Sequence, residues 1–210
     1  MVGRVERGGI DVAIAAREAQ VIGSAPRIEP LQPEDMDEEA MGFIHRLLGS
    51  IGATHRDFIP EYFRTMIKHP ALFQAALDMG TTLFKGKIPP RERELAVLRI
   101  GWLCAAPYEW GEHVDIAQRF GVTKEQVERV TQGSAAEGWS ELDRAILRGV
   151  EELIGDKAIA DDTWQILARY WDEPQLLEFP MLVGQYVSTA FLQNSLRMRL
   201  AHDNPGLCYR

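Results

Sequence analysis

Three ionisable side chains stand where the sequence pattern calls for core residues. Glu94 opens an apolar run that continues through Leu95, Ala96, Val97, Leu98, Ile100, Trp102, Leu103 and Cys104. Pro107 breaks the run, and a second helical segment carries Glu109 and His113. At about 100° per residue, His113 falls in the middle of the apolar face formed by Trp110, Val114, Ala117 and Phe120, with Ile116 alongside. Glu109, four residues earlier, lies beside it and within hydrogen-bonding reach. Glu112, Asp115, Gln118 and Arg119 fall on the opposite side. Burying ionisable groups is costly unless they are paired or used. Two carboxylates and an imidazole suit proton chemistry. A Glu held protonated by burial is a general acid, and an imidazole relays the proton or stabilises developing negative charge.

Other chemistries fit these residues less well. Glu109 and His113 have a usable spacing for two metal ligands, but the Glu-x-x-x-His pattern occurs once and His45, His55, His69 and His202 are scattered. No metal site is expected. Cys104 and Cys208 form no CxxC, which argues against a disulfide scaffold or a structural zinc, and Cys104 reads as a buried core thiol. Plainer readings of the three groups also stand. Glu109 and His113 make a satisfied structural pair, and Glu94 pairs with Arg91 or Arg99 or sits at a helix N-terminus. Trp102, Tyr108 and Trp110 fit a core as well as a substrate wall. Gly101 and Ala105 leave space beside Glu94.

The elements that position these residues are helices. Asp35 or Asp37 caps a segment running to Leu48, with Gly49 after it. A second covers Pro60 to Ile67, and Pro70 starts one reaching Phe84. Pro89 and Pro90 open the apolar helix, which ends near Ala105, and Pro107 opens the next, ending at Phe120 with Gly121 as its cap. Thr123 and Gln126 form a capping-box pattern. Ser140 starts a helix on which Leu142, Ala145, Ile146 and Val150 recur. Asp161 or Asp162 starts another with Trp164, Ile166, Leu167 and Tyr170. A last segment runs from Leu176 to Leu200, bent or interrupted at Pro180. No stretch alternates with period two, so the fold class is all-α, a bundle of eight or nine helices. Residues 25–34 hold three prolines and read as an extended strap into a single domain spanning 25–210. Residues 1–24 read as an extension, mobile or packed on a partner subunit.

Composition bounds the function. The 210 residues suffice for one large domain with a real core, and a formal charge of -8 without a basic run argues against nonspecific nucleic-acid binding. The apolar runs are too short to span a bilayer and the N-terminus lacks a signal-peptide pattern, so a cytoplasmic location is expected, with no membrane partner.

Arg91-Glu92-Arg93-Glu94, the apolar helix, then Tyr108-Glu109-Trp110 and His113 resemble the carboxymuconolactone decarboxylase family, an all-α superfamily that includes the alkylhydroperoxidase D proteins. The resemblance runs from about Pro26 to Leu207. The peroxidase branch carries an upstream Glu, a CxxC, and a His with three residues between it and the second Cys. Glu94 and His113 match the Glu and the His, but Ala106 and Glu109 occupy the cysteine places, and a thiol peroxidase needs its thiolate and resolving partner. The resemblance therefore implies the decarboxylase branch: a lyase that needs no cofactor, acting on a small carboxylated lactone or related cyclic acid. Glu109 and His113 are its expected acid–base pair, with Glu94 orienting His113 or shuttling a proton. Arg91 or Arg99 is expected to hold a substrate carboxylate, with Trp102, Tyr108 and Trp110 shaping an apolar wall. The family also implies a homo-oligomer, a dimer, trimer or hexamer. The alternative is a noncatalytic small-molecule binding or assembly protein on the same scaffold.

Overall fold

The computed structural model describes residues 7–50, 59–200, 204 and 206–208; His55 and His202 lie outside them. Among the described residues ten helices follow one another: α1 Arg7–Ile22, α2 Glu38–Ser50, α3 Glu61–Met66, α4 Pro70–Phe84, α5 Pro90–Leu103, α6 Pro107–Arg119, α7 Lys124–Gln132, α8 Glu141–Gly155, α9 Asp161–Tyr170 and α10 Glu173–Leu196. Two short 3-10 turns, Pro33–Asp35 and Gly206–Cys208, complete the order, and no strand occurs among the described residues. None of the described helices is long and apolar enough to cross a membrane.

The helix starts follow local chemistry. Pro70, Pro90 and Pro107 each stand at a first helical position, where the missing N–H costs nothing. The Thr123–Gln126 capping box forms, and the Ser140 hydroxyl accepts from the Asp143 amide. Helix α9 starts at Asp161 as expected, with Ala160 at its N-cap and no side-chain cap. Three boundaries differ from the sequence reading. Helix α2 continues through Gly49 to Ser50. Helix α10 begins earlier, at a capping box made by Asp172 and Gln175, and runs on through Pro180. Pro180 sits on an exposed side of that helix, where water can serve the carbonyl that loses its donor. The helix stops at Leu196 because Arg197 turns left-handed (φ 56°) and the Met198 amide bonds back to the Gln193 carbonyl.

Helix α5 is the central element and packs on α6, α7, α8 and α10. One side of it, Ala96, Val97 and Ile100, joins a core with Ile146, Val150 and Phe179. The other side, Leu95 and Leu98, joins a second core with Trp110, Val114 and Leu147. A helix serving two cores must be apolar nearly all round, and each fully buried Leu or Ile contributes about 1.5–3 kcal/mol. A third cluster gathers Ile44, Ile59, Met66, Ile67 and Phe73 from α2 to α4. Helix α1 lies against this chain's own C-terminal turn: Ile14 packs on the second core, and the Leu207 amide donates to Glu18 at 2.6 Å. Cys104 is half-buried against the first core, its thiol pKa raised by that burial, and Cys208 is exposed.

Candidate acid–base site

Glu94, from the second turn of α5, is fully buried, and Glu109 and His113 on α6 are buried beside it. The cause is the corner between the helices. Ala105 adopts a left-handed conformation (φ 45°) and the Ala106 amide bonds back to the Gly101 carbonyl, which turns α6 across α5. A Cβ at Gly101 would lie only 3.5 Å from the Trp110 backbone nitrogen, so the two helices meet closely there. Asn194 of α10 fastens the corner by donating to the Cys104 carbonyl at 3.0 Å.

The three ionisable groups form one chain of contacts. His113 Nδ1 meets Glu94 Oε2 at 2.7 Å, and His113 Nε2 meets Glu109 Oε1 at 3.2 Å. Each carboxylate is held from behind by its second oxygen. Arg93 Nε donates to Glu94 Oε1 at 2.9 Å, and its Nη2 lies 2.9 Å from the same oxygen but out of line for a second hydrogen bond. Gln193 Nε2 donates to Glu109 Oε2 at 2.7 Å. Arg93 is itself buried; its Nη1 donates to the Phe84 carbonyl, and its guanidinium lies over the Phe84 ring at 4.2 Å. Burial works against a charged imidazole at His113. The Glu94 charge, the hydrogen bonds to both glutamates and the Glu109 charge outweigh it and raise the pKa to about 10. The charged imidazole is thereby favoured, and His113 can serve as the proton donor of the expected acid–base pair.

Three tyrosines lie within contact or electrostatic reach of these groups. Tyr186 of α10 stands edge-on to the His113 ring, centroids 5.2 Å apart. Its hydroxyl pKa is raised by burial, then by Glu109 and Glu94. Tyr62 of α3 is pushed up to about 12 by burial and then by Glu109. Tyr108 is raised by burial, then by Glu112 and Glu109. All three are neutral donors at physiological pH.

The remaining expected site residues do not all converge. Arg91 gives both terminal nitrogens to Asp143 of α8, at 2.7 and 3.0 Å, instead of waiting for a carboxylate. Trp102 and Trp110 pack on each other, centroids 5.1 Å apart, and Trp110 belongs to the second core. Tyr108 does lie within electrostatic reach of Glu109. Phe120, expected on the buried face of α6, is 39% exposed, whereas Glu112 and Asp115 are solvated as the wheel requires. Two surface hollows, of about 650 and 440 Å³, lie along α7 and beside α8, and neither is lined by the three ionisable groups.

Residues 70–152 match the profile of the carboxymuconolactone decarboxylase family. This stretch belongs to that family. The carboxymuconolactone decarboxylase match spans α4 to most of α8 and includes Glu94, Glu109 and His113, but stops short of Tyr186 and Gln193 on α10. Solved structures with the same fold include an alkylhydroperoxidase AhpD core, a peroxidase-related protein from Ralstonia eutropha JMP134, at 15% identity and TM-score 0.70, over 86% of this chain and 95% of that one. The debrominase Bmp8 in complex with 2,3,4-tribromopyrrole is similar at 20% identity and TM-score 0.67, over 86% and 94%. A peroxidase-related protein from Silicibacter sp. TM1040 follows at 12% identity and TM-score 0.69, over 86% and 96%. These identities speak to the fold, which is the alkylhydroperoxidase D type. Among curated proteins none matches the chain. Arg93, Gln193, Tyr62 and Tyr186 are not among the site residues expected from the sequence. A signal existed for two of them. Arg93 shares a helical face with Val97, Ile100 and Cys104, and Gln193 shares one with Leu182, Tyr186 and Ala190.

Proposed function

We propose that the protein is a cofactor-independent acid–base enzyme, carboxymuconolactone decarboxylase-like, acting on a small lactone or a related cyclic acid or carbonyl compound. The observation that carries the reading is the buried imidazole held between two carboxylates, each fixed from behind by its own donor. In a decarboxylation the electron pair of the breaking C–C bond moves into the ring system as CO2 leaves. The resulting enol or dienolate carbon takes a proton from the His113–Glu109 pair, which solvent then recharges. Glu94, backed by Arg93, holds Nδ1 and keeps the ring oriented. Arg91, Arg93 and Arg99 are each paired with an acid, Asp143, Glu94 and Glu151. The reading therefore rests on proton transfer and not on a guanidinium gripping the substrate. With Ala106 and Glu109 in the cysteine places, thiol chemistry is not proposed.

The test is a panel of lactones, cyclic acids and cyclic ketones, scored for CO2 release and for solvent deuterium exchanged into carbon. Glu109→Gln and His113→Ala are each expected to lower turnover by about 100-fold or more. Unchanged turnover in both variants sinks the reading and leaves a binding or assembly protein whose buried ion network is structural. The expected homo-oligomer belongs to the same proposal. Leu177, Met181 and Phe191 are exposed apolar residues on one side of α10, and sedimentation velocity measures whether the chain self-associates.

A further inference from the structure

Gln193 sits in the last turn of α10 and is 4% exposed. Its amide orientation is not arbitrary. Glu109 Oε2, at 2.7 Å, accepts and cannot donate while ionised, so the Gln193 nitrogen must face it. That fixes the carbonyl oxygen on the other side, and among the described residues no group donates to Gln193 Oε1. A buried acceptor left unpaired costs about 1–3 kcal/mol, and such groups in native proteins call for an explanation. This one lies next to the carboxylate that faces His113 Nε2, with Tyr186 two turns back on the same face of α10.

We propose that Gln193 is a specificity-determining residue whose Oε1 accepts from a ring N–H or O–H of the ligand bound against Glu109 and His113. The inference rests on the acid–base reading of the same site and narrows its substrate class to donor-bearing rings. The surroundings lead the same way. Glu109 is a second acceptor beside the amide, and the Tyr186 ring stands edge-on to His113. A ligand presenting only acceptors would leave Oε1 unpaired and set its own lone pairs against two oxygens. A ligand presenting a donor satisfies the amide and leaves the adjacent ring atom facing the His113–Glu109 pair. Sites built around a buried hydrogen-bonding group reject analogues that lack the complement far more strongly than apolar pockets do.

The experiment is an equilibrium titration of the full chain with 2-acetylpyrrole and 2-acetylfuran, a matched pair of ring carbonyl compounds in which only the first has an N–H. The pyrrole is expected to bind about tenfold or more tightly. The preference is expected to fall to near unity in Gln193→Met and in Gln193→Leu. The two variants bracket the side-chain shape, so one that folds suffices. Equal affinity in the wild type, no binding of either ring, or a preference that survives in the folded variant overturns the proposal. Failure of the parent reading looks different. Donor preference would then persist while Glu109→Gln and His113→Ala leave deuterium exchange untouched.

Discussion

His113 owes its charge to its neighbours, and that has a consequence for stability. Its folded pKa of about 10 lies above the ordinary value of 6.5. A group whose pKa is raised on folding stabilises fully below its unfolded value and loses that contribution as pH climbs through the folded one. Urea midpoints are therefore expected to decline from about pH 6.5 to about pH 10 more steeply in the wild type than in His113→Gln. Parallel profiles for the two proteins would show that the imidazole is neutral in the folded state. At this scale the sequence revealed half of the site. One wheel was enough to place Glu109 with His113, because both stand on one helix. Whether Glu94 joined them depended on a corner between helices, which periodicity does not encode. Arg93 was hidden in a charged run, Arg91-Glu92-Arg93-Glu94, where neighbouring charges usually mean a solvated turn. Its burial follows from the second carboxylate contact and the Phe84 ring.

Among the elements, the α5–α6 corner sets the distance between Glu94 and the α6 pair. Its left-handed position is Ala105, where helix ends usually place glycine. A non-glycine residue pays about 1–2 kcal/mol there, against about 0.5–1 kcal/mol of extra chain entropy lost by glycine. Ala105→Gly is expected to raise stability by roughly 0.5–1 kcal/mol, a gain readable as a higher thermal midpoint, and a lower midpoint would assign Ala105 a packing role larger than its strain. Asn194→Ala acts in the opposite direction. It removes the donor on the Cys104 carbonyl at the end of α5, and a loss of about 1 kcal/mol is expected by denaturant titration. Proline positions made most helix starts legible. The extent of α10 was not, because Leu176 to Val183 is apolar on several faces and Pro180 suggests a break. Only tertiary packing shows that the helix passes through it and carries Tyr186 and Gln193 to the site.

Across the whole molecule, the two ends of the chain are tied to the helix that carries the acid–base pair. Asn204 donates to the Tyr108 carbonyl and to Glu112 Oε1 on α6, and its own Oδ1 accepts from the Gly206 amide. The turn it holds receives Glu18 of α1 on the Leu207 amide. Gly111 makes this possible, because a Cβ there would fall on the Asn204 amide. Gly111→Ala is thus expected to expel Asn204 and release the C-terminal turn and α1 together. The cost is about 1–3 kcal/mol, since the half-buried Tyr108 carbonyl and the Glu112 carboxylate lose their donor and the tight contact has no room to relax. Amide exchange should quicken at Leu207 and along α1 while α8 and α9 keep their protection. A double-mutant cycle separates the clash from the intrinsic gain of alanine in a helix. With Asn204→Ala already in place, adding Gly111→Ala should cost nothing further or restore part of the loss. If the two changes instead add in full, the helix itself is the site of damage, and the link from chain ends to α6 is not carried by Asn204.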